Sequence, residues 1–245
     1  VRVPGRYRYN YQTGHLDRLQ DQDAAGPDDR SKWSAVGYIN REGQFVVPPQ
    51  FREADDFAEG LAPVLLGDEE AGFRYGFIDR MGRIAIQPLF DAGPSGRLVT
   101  VAGFSEGLAP VQLREGPSSS KWGYIDKEGH FVIRPQFSYA GGFSGGLALV
   151  GVEQDSGRDL FGYIDQHGRV VIEPQFRHSY EVSHFSEGRA AAKVEGKYGY
   201  IDHTGRRAVA PKYDLAKNFH EGLAAVFLAE RYTEVACPSY EPYIN

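Results

Sequence analysis

"WGYIDKEGHFVIRPQF", residues Trp122–Phe137, decides the fold because the chain carries it five times. Near-copies read VGYINREGQFVVPPQF (Val36–Phe51), YGFIDRMGRIAIQPLF (Tyr75–Phe90), FGYIDQHGRVVIEPQF (Phe161–Phe176) and YGYIDHTGRRAVAPKY (Tyr198–Tyr213). The glycine of the Gly-Tyr-Ile step falls at Gly37, Gly76, Gly123, Gly162 and Gly199, at intervals of 37 to 47 residues. A second block follows each first one: FAEGLAPV (Phe57–Val64), FSEGLAPV (Phe104–Val111), FSGGLALV (Phe143–Val150), FSEGRAAAKV (Phe185–Val194) and FHEGLAAV (Phe219–Val226). A period of this length marks an array of small units, each of which buries its apolar face only against its neighbours.

Each unit reads as three short strands: Leu-Ala-x-Val, then Tyr-Gly-Tyr-Ile-Asp, then the Val-Ile stretch that runs up to a proline. Apolar residues alternate or come in runs of two or three, with no helical period. A run such as Phe131-Val132-Ile133 predicts a strand covered on both faces by sheets stacked about 10 Å apart. The joint between the second and third strands has Asp or Asn at its first position and Gly at its last. These structural turn pairs are Asn40 and Gly43, Asp79 and Gly82, Asp126 and Gly129, Asp165 and Gly168, and Asp202 and Gly205. A carboxylate or amide there accepts backbone N–H bonds, and the glycine takes the left-handed conformation of a bulge. The prolines (Pro49, Pro88, Pro135, Pro174, Pro211) are expected to end pairing, because they have no N–H to give a ladder. The glycines of Phe-x-x-Gly (Gly60, Gly107, Gly146, Gly188, Gly222) predict turns with positive φ.

The reading is an all-β protein, a single repeat domain over residues 1–245, with tandem three-stranded antiparallel units stacked as a propeller-like array. An open curved β-solenoid is the alternative. Five such units span about 33–66, 72–113, 121–152, 160–194 and 197–228. Residues 1–19 read as a degenerate hairpin, since Tyr7–Leu19 can be laid over Tyr198–Ala210. Residues 20–31 form an acidic loop, and 229–245 a C-terminal extension in which Pro242–Asn245 echoes Gly37–Asn40. The amino-terminal hairpin is expected to complete a sixth unit with Leu223–Leu228 and so close a ring without open edges. Gly67–Gly72, Arg114–Ser120 and Glu153–Asp159 read as loops between strands.

Bulk properties agree with a turn-rich β protein. Of 245 residues, 30 are Gly and 14 Pro, while Tyr and Phe number 15 each. Net charge is −6, and no Lys/Arg cluster of the kind that displaces counterions from a duplex is visible, so no nucleic-acid partner is expected. Cys237 is the one cysteine, so neither an intrachain disulfide nor a cysteine zinc site follows. No apolar run reaches the ~18–20 residues of a transmembrane segment. Val1 is not an initiator Met and Met81 is the one methionine, so the chain reads as a processed or trimmed form.

Lys121-Trp122-Gly123, with Tyr-Ile-Asp, Val-Ile-x-Pro-x-Phe and Phe-x-x-Gly-Leu-Ala-x-Val around it, resembles the WG or KWG repeat of bacterial proteins. Other copies replace the tryptophan with Val36, Tyr75, Phe161 or Tyr198, and the resemblance covers Trp33 to Leu228. It implies a β-rich interaction scaffold with no shared catalytic residue. The compartment stays open between the bacterial cytoplasm and an exported form that has lost its signal.

Chemistry-bearing residues were weighed against that scaffold. Asp79, Asp126, Asp165 and Asp202 recur in turns and Glu59, Glu106, Glu187 and Glu221 recur before glycine, whereas an active site needs one differentiated pair. None of the seven histidines forms a ligand motif, and no phosphate loop or nucleophile elbow appears. No catalytic residue, metal or cofactor is therefore expected. Tyr38, Phe77, Tyr124, Tyr163 and Tyr200 share one position and are read as a core ladder. Partner contacts are placed where the copies differ. One such place is the insertion in the second unit (Arg97, Leu98, Val99, Val101), which also reads as an added edge strand. The others are the Arg177–His184 connection, with His178, Tyr180 and His184, and the loops bearing Asp68, Glu69, Glu70 and Asp159. The function expected is a scaffold for another protein, a basic one given the charge, with an inhibitory immunity-type role as one version. Cell-envelope carbohydrate binding through accessible Trp33 and Trp122 is the alternative, and a propeller-type glycosidase the third.

Overall fold

The computed structural model describes residues 7–10, 15–18, 36–68, 72–91, 102–114, 120–154 and 157–229. Strands β1 (Tyr7–Asn10) and β2 (His15–Arg18) pair as a hairpin, as do β3 (Val36–Ile39) and β4 (Phe45–Phe51). The next sheet is β5 (Glu53–Ala54), β6 (Leu61–Asp68), β7 (Gly72–Asp79) and β8 (Ile84–Asp91), in that spatial order. Strands β9 (Ala109–Arg114), β10 (Ser120–Ile125) and β11 (Phe131–Phe137) form a three-stranded sheet. The sheet after it is β12 (Tyr139–Ala140), β13 (Leu147–Glu153), β14 (Asp159–Asp165) and β15 (Val170–Phe176). Then come β16 (Ala190–Val194), β17 (Lys197–Ile201) and β18 (Arg207–Tyr213), and a last pair, β19 (Leu215–Ala216) and β20 (Val226–Phe227). All pairing is antiparallel, and the protein is a tandem array of small β-sheets.

The three-strand reading holds in its strand order, but the sheets cut across the sequence copies. Leu61–Asp68 ends one copy, yet it pairs with Gly72–Asp79 of the next, residue for residue from Leu61↔Asp79 to Asp68↔Gly72. Pairing therefore runs further into the stretches expected as loops. Short strands then lock one sheet to the next. β5 follows directly on β4 but pairs with β6, as Glu53↔Leu65 and Ala54↔Val64. β12 does the same from β11 onto β13. The short strands β5, β12 and β19 thus each follow one sheet and pair with the next. Five full three-stranded units were expected; the described residues hold four, with the two-stranded sheets β1–β2 and β3–β4 before them and β19–β20 after them.

The invariant glycine of each hairpin has a steric cause. A Cβ on Gly123 would lie 2.6 Å from the Ile133 carbonyl oxygen and 2.7 Å from the Pro135 nitrogen. The third strand crosses that close because it is bulged: Trp122 faces Phe137 and Tyr124 faces Ile133, so two steps on one strand match four on the other. The prolines sit inside this bulge, and pairing resumes beyond them at Phe51, Phe90, Phe137, Phe176 and Tyr213. The expectation that proline ends the strand is corrected on that point: where a bulge already breaks the ladder, a missing N–H costs no pairing. A second bulge, between Tyr124 and Ile125, corrects the expectation of two-sided burial. Val132 is exposed beside buried Ile133, and the same holds for Val46 beside Val47 and Val171 beside Ile172.

Consecutive units stack through the other end of the hairpin. Gly82 of the turn lies over the Val47 side chain, Gly129 over Ile86, Gly168 over Ile133 and Gly205 over Ile172. Inside, the Tyr or Phe after the hairpin glycine packs on the Phe of the second block, with ring centroids 4.7 Å apart for Tyr38–Phe57, 5.1 Å for Phe77–Phe104 and 4.9 Å for Tyr124–Phe143. Tyr163–Phe185 and Tyr200–Phe219 repeat it. Each fully buried ring contributes about 1.5–3 kcal/mol. The amino-terminal hairpin was expected to complete a sixth unit with Leu223–Leu228. β1 lies against β6, and no strand pairing among the described residues joins the hairpin to β20, which pairs with β19 alone.

Candidate functional site

The repeated polar residues are used up in holding the copies together. In the turn after each of the five Gly-Tyr-Ile strands one side-chain oxygen accepts two backbone N–H bonds. Asp126 Oδ1 accepts from Glu128 (3.1 Å) and His130 (2.8 Å), and Asp165 Oδ1 from His167 and Arg169 (both 2.9 Å). Asn40, Asp79 and Asp202 make the same pair of bonds. Gly43, Gly82, Gly129, Gly168 and Gly205 all have positive φ. Partial burial works against ionisation of Asp79, but bonds from the Arg83 guanidinium and two backbone N–H groups outweigh it and hold the carboxyl below its ordinary value. The Thr204 hydroxyl and backbone N–H do the same for Asp202.

A second ladder runs between copies. The two-residue turn Glu59-Gly60 puts both residues at positive φ, 52° and 93°, which is costly for a residue with a Cβ. The glutamate uses that geometry to reach the next unit. Glu59 accepts the Gly107 N–H (3.1 Å) and pairs with Lys127 (3.0 Å), Glu106 accepts the Gly146 N–H (3.0 Å), and Glu187 accepts the Gly222 N–H (2.9 Å). The Lys127 bond lowers the Glu59 pKa, burial opposes this, and the Gly107 N–H adds to the lowering. In the third copy Gly145 replaces the glutamate, and His203 fills the place, with its Nε2 2.9 Å from the Gly145 carbonyl and its ring stacked on Phe185. Serine makes a parallel ladder: Ser105, Ser144 (2.6 Å) and Ser186 (2.6 Å) donate to the carbonyls of Phe143, Phe185 and Phe219.

Tyrosines secure the connections. Tyr124 donates to the Gly141 carbonyl (2.8 Å), Tyr163 to Ser183 (2.7 Å), Tyr200 to Lys217 (2.8 Å) and Tyr38 to Asp55 (2.8 Å). Burial, followed by the charges of Asp55 and Asp56, pushes Tyr38 up to about 12. Phe77 has no hydroxyl for this purpose, and its unit is the one that carries the inserted segment.

The Arg177–His184 connection departs from the pattern. A short 3-10 turn, Ser179–Glu181, replaces the short strand, and Val182 keeps a single bridge to Ala192. Glu181 accepts the Arg177 N–H (2.9 Å), and the Tyr198 hydroxyl donates to the Tyr180 carbonyl (2.9 Å). With its backbone held from both sides, the connection presents the His178 and Tyr180 rings stacked 4.8 Å apart and 7° from parallel, with Tyr180 67% exposed. Beside them an open cleft of about 280 Å³ is lined by Arg177, Glu181, Lys193 and Glu195. His184 is not part of this group; its imidazole lies against Gly141 of the preceding unit. A second open cleft, about 470 Å³, occupies the equivalent place one unit earlier, with Lys121 paired to Glu153 at 2.6 Å.

Arg97, Leu98, Val99 and Val101 lie outside the described residues, as do Trp33, Cys237 and residues 230–245. Trp122 is only 9% exposed, so it offers a sugar no face. Among the described residues no three His, Cys, Asp or Glu side chains converge as metal ligands, and no helix is long and apolar enough to cross a membrane. Sequence reading missed the two ladders between copies, although their signal was present in the recurrent Ser and Glu of Phe-Ser-Glu-Gly.

Five consecutive segments, residues 37–69, 75–115, 122–154, 161–198 and 198–232, match the family described as WG containing repeat. No curated protein matches the chain.

Proposed function

The chain belongs to the WG-containing repeat family, and we propose that it is a non-catalytic scaffold that binds another protein at the places where its copies differ. The stacked His178–Tyr180 pair carries this reading. It is an exposed aromatic surface on a braced connection, and rigid aromatics that lose little entropy on docking are what interface anchors require. The inserted segment with Arg97, Leu98, Val99 and Val101 is the second anchor. The repeated carboxylates are spent on turns and ladders, which supports a role without catalysis. A net charge of −6 favours a basic partner through faster, salt-sensitive encounter. If that partner is an enzyme, covering it makes the chain an inhibitor of the immunity type.

The test is capture of proteins from bacterial extract on the immobilised chain. Three baits are compared: the wild type, a His178→Ala/Tyr180→Ala double variant, and a chain lacking residues 92–103. A stoichiometric protein retained by the wild type and lost from at least one variant is expected. Equal retention by all three baits, or enrichment of glycan in place of protein, would remove the proposal.

A further inference from the structure

Two consecutive units carry a cleft at the same place, and the two clefts differ in how one carboxylate is partnered. Ala148↔Ile164 and Ala190↔Ile201 are equivalent pairs, so Glu153 and Glu195 hold one position, five residues beyond each alanine. Each lines its own cleft. Glu153 pairs at 2.6 Å with Lys121 of the preceding sheet, which stands four residues before Ile125. The same place in the next sheet, four residues before Ile164, is taken by Leu160, which brings no charge. Glu195 is exposed, and its carboxylate has no ion pair or hydrogen bond among the described residues.

The cations that line this cleft do not stand in for the missing lysine. Lys193 lies over the Tyr198 ring, 5.5 Å from its centroid. Arg177 makes no ion pair with Glu195, and the other acid of the cleft, Glu181, accepts the Arg177 backbone N–H (2.9 Å). Beside the cleft stand the parallel His178 and Tyr180 rings, with Tyr180 exposed. An aromatic face attracts a cation through its quadrupole. A guanidinium is flat enough to lie on such a ring while its N–H groups fork onto a carboxylate, and an ammonium is not.

We propose that this cleft takes an arginine side chain of the partner protein, stacked on the Tyr180 ring with its guanidinium on Glu195. The inference rests on the scaffold reading and gives the partner's contact a chemistry. It agrees with the net charge of −6, which favours a basic partner. The cleft one unit earlier takes no such side chain, because its glutamate already has Lys121.

NMR titration of the full chain with Nα-acetyl-arginine methylamide tests this, with the citrulline analogue as a probe of the same shape and no charge. Saturable shifts of the His178 and Tyr180 ring signals are expected with arginine and not with citrulline. Read at the His178 ring, Tyr180→Ala abolishes binding. Glu195→Gln weakens it about three-fold, the size of an exposed ion pair, and Glu153→Gln leaves it unchanged. Tyr180 and Glu195 both face solvent, so thermal melts of these variants should match the wild type. No saturable shift, equal binding of citrulline, or a Glu195→Gln variant that binds as the wild type does overturns the proposal. So does a preference for Nα-acetyl-glutamate methylamide, which would give the cleft to Arg177 and Lys193 and to an acidic side chain. Capture of a protein that depends on His178 and Tyr180, together with failure of the arginine probe, removes this inference and leaves the scaffold reading standing.

Discussion

Ile164 and Ile39 are the same residue at the same place in two copies of one hairpin, yet the first is wholly buried and the second mostly in water. Ile164 lies in a strand flanked by a Leu-Ala-x-Val strand and a proline strand, with further sheets before and after it. Among the described residues, Ile39 has only the proline strand beside it. The difference teaches that a copy of this repeat does not contain its own core. The core lies between copies, and stability is a property of interfaces that a sequence copy shares with its neighbours.

The largest test of that comparison is truncation at both sites. Ile164→Ala should cost about 2–5 kcal/mol of unfolding free energy, the range for a buried aliphatic cavity. Ile39→Ala should change dilute-solution stability by less than about 0.5 kcal/mol, as surface changes do. Urea unfolding of the two variants, at concentrations below any association, measures both. Equal losses would mean that the end hairpin is as tightly held as an interior one.

A second pair separates crowding from backbone strain. Gly162→Ala puts a Cβ 2.5 Å from the Ile172 carbonyl oxygen and 2.7 Å from the Pro174 nitrogen, both backbone atoms of the bulged strand. A loss of about 1–3 kcal/mol is expected, the overpacking range. Gly60→Ala meets no atom within 4 Å and suffers only from its φ of +93°, so about 1–2 kcal/mol is expected. Thermal melts should rank Gly162→Ala below Gly60→Ala; the reverse order would show that the bulge can move aside.

Those two glycines also mark what could be read in advance. The copy number, strand order, turn aspartates and buried aromatic row follow from short local patterns such as Tyr-Ile-Asp-x-x-Gly, where neighbouring residues dictate the outcome. The bulge around Pro135 did not show, because a proline after Val-Ile reads equally as a strand end and as a bulge. What decides between them is the glycine opposite it, Gly123, in another strand. The ladders of Ser144 and Glu106 were hidden for a related reason. Their partners, the Phe185 carbonyl and the Gly146 N–H, are about 40 residues away, and no local pattern names a backbone atom at that distance. The Arg177–His184 connection was legible as a departure from the repeat, but the stacking of His178 on Tyr180 and the packing of His184 against Gly141 were not.

Next in size is the serine ladder. Ser144→Ala removes the donor to the Phe185 carbonyl and should cost about 1 kcal/mol, the usual net worth of such a bond. The first copy makes the comparison natural, since Ala58 stands where Ser105, Ser144 and Ser186 stand in later copies. A chevron or equilibrium melt of Ser144→Ala that matches the wild type would assign the ladder to orientation alone.

The smallest expected effect at neutral pH is at Glu59, where two contributions oppose one another. Glu59→Gly relieves a left-handed residue, worth about 1 kcal/mol, and the third copy already uses Gly145 at that place. It also removes the carboxylate that joins Lys127 and the Gly107 N–H, an exposed arrangement worth little on its own. Net change at neutral pH should stay within about 0.5 kcal/mol. The pH dependence is where the variant differs. The folded Glu59 pKa lies below its ordinary value, so its contribution is fully present above that ordinary value, about 4.5. It is lost as pH falls through the depressed folded value, where the proton binds the unfolded chain first. Wild-type stability should therefore fall on acidification more steeply than that of Glu59→Gly, with the two curves parallel above about pH 5. Parallel curves down to pH 3 as well would show that the carboxylate contributes nothing across the joint between the first two units.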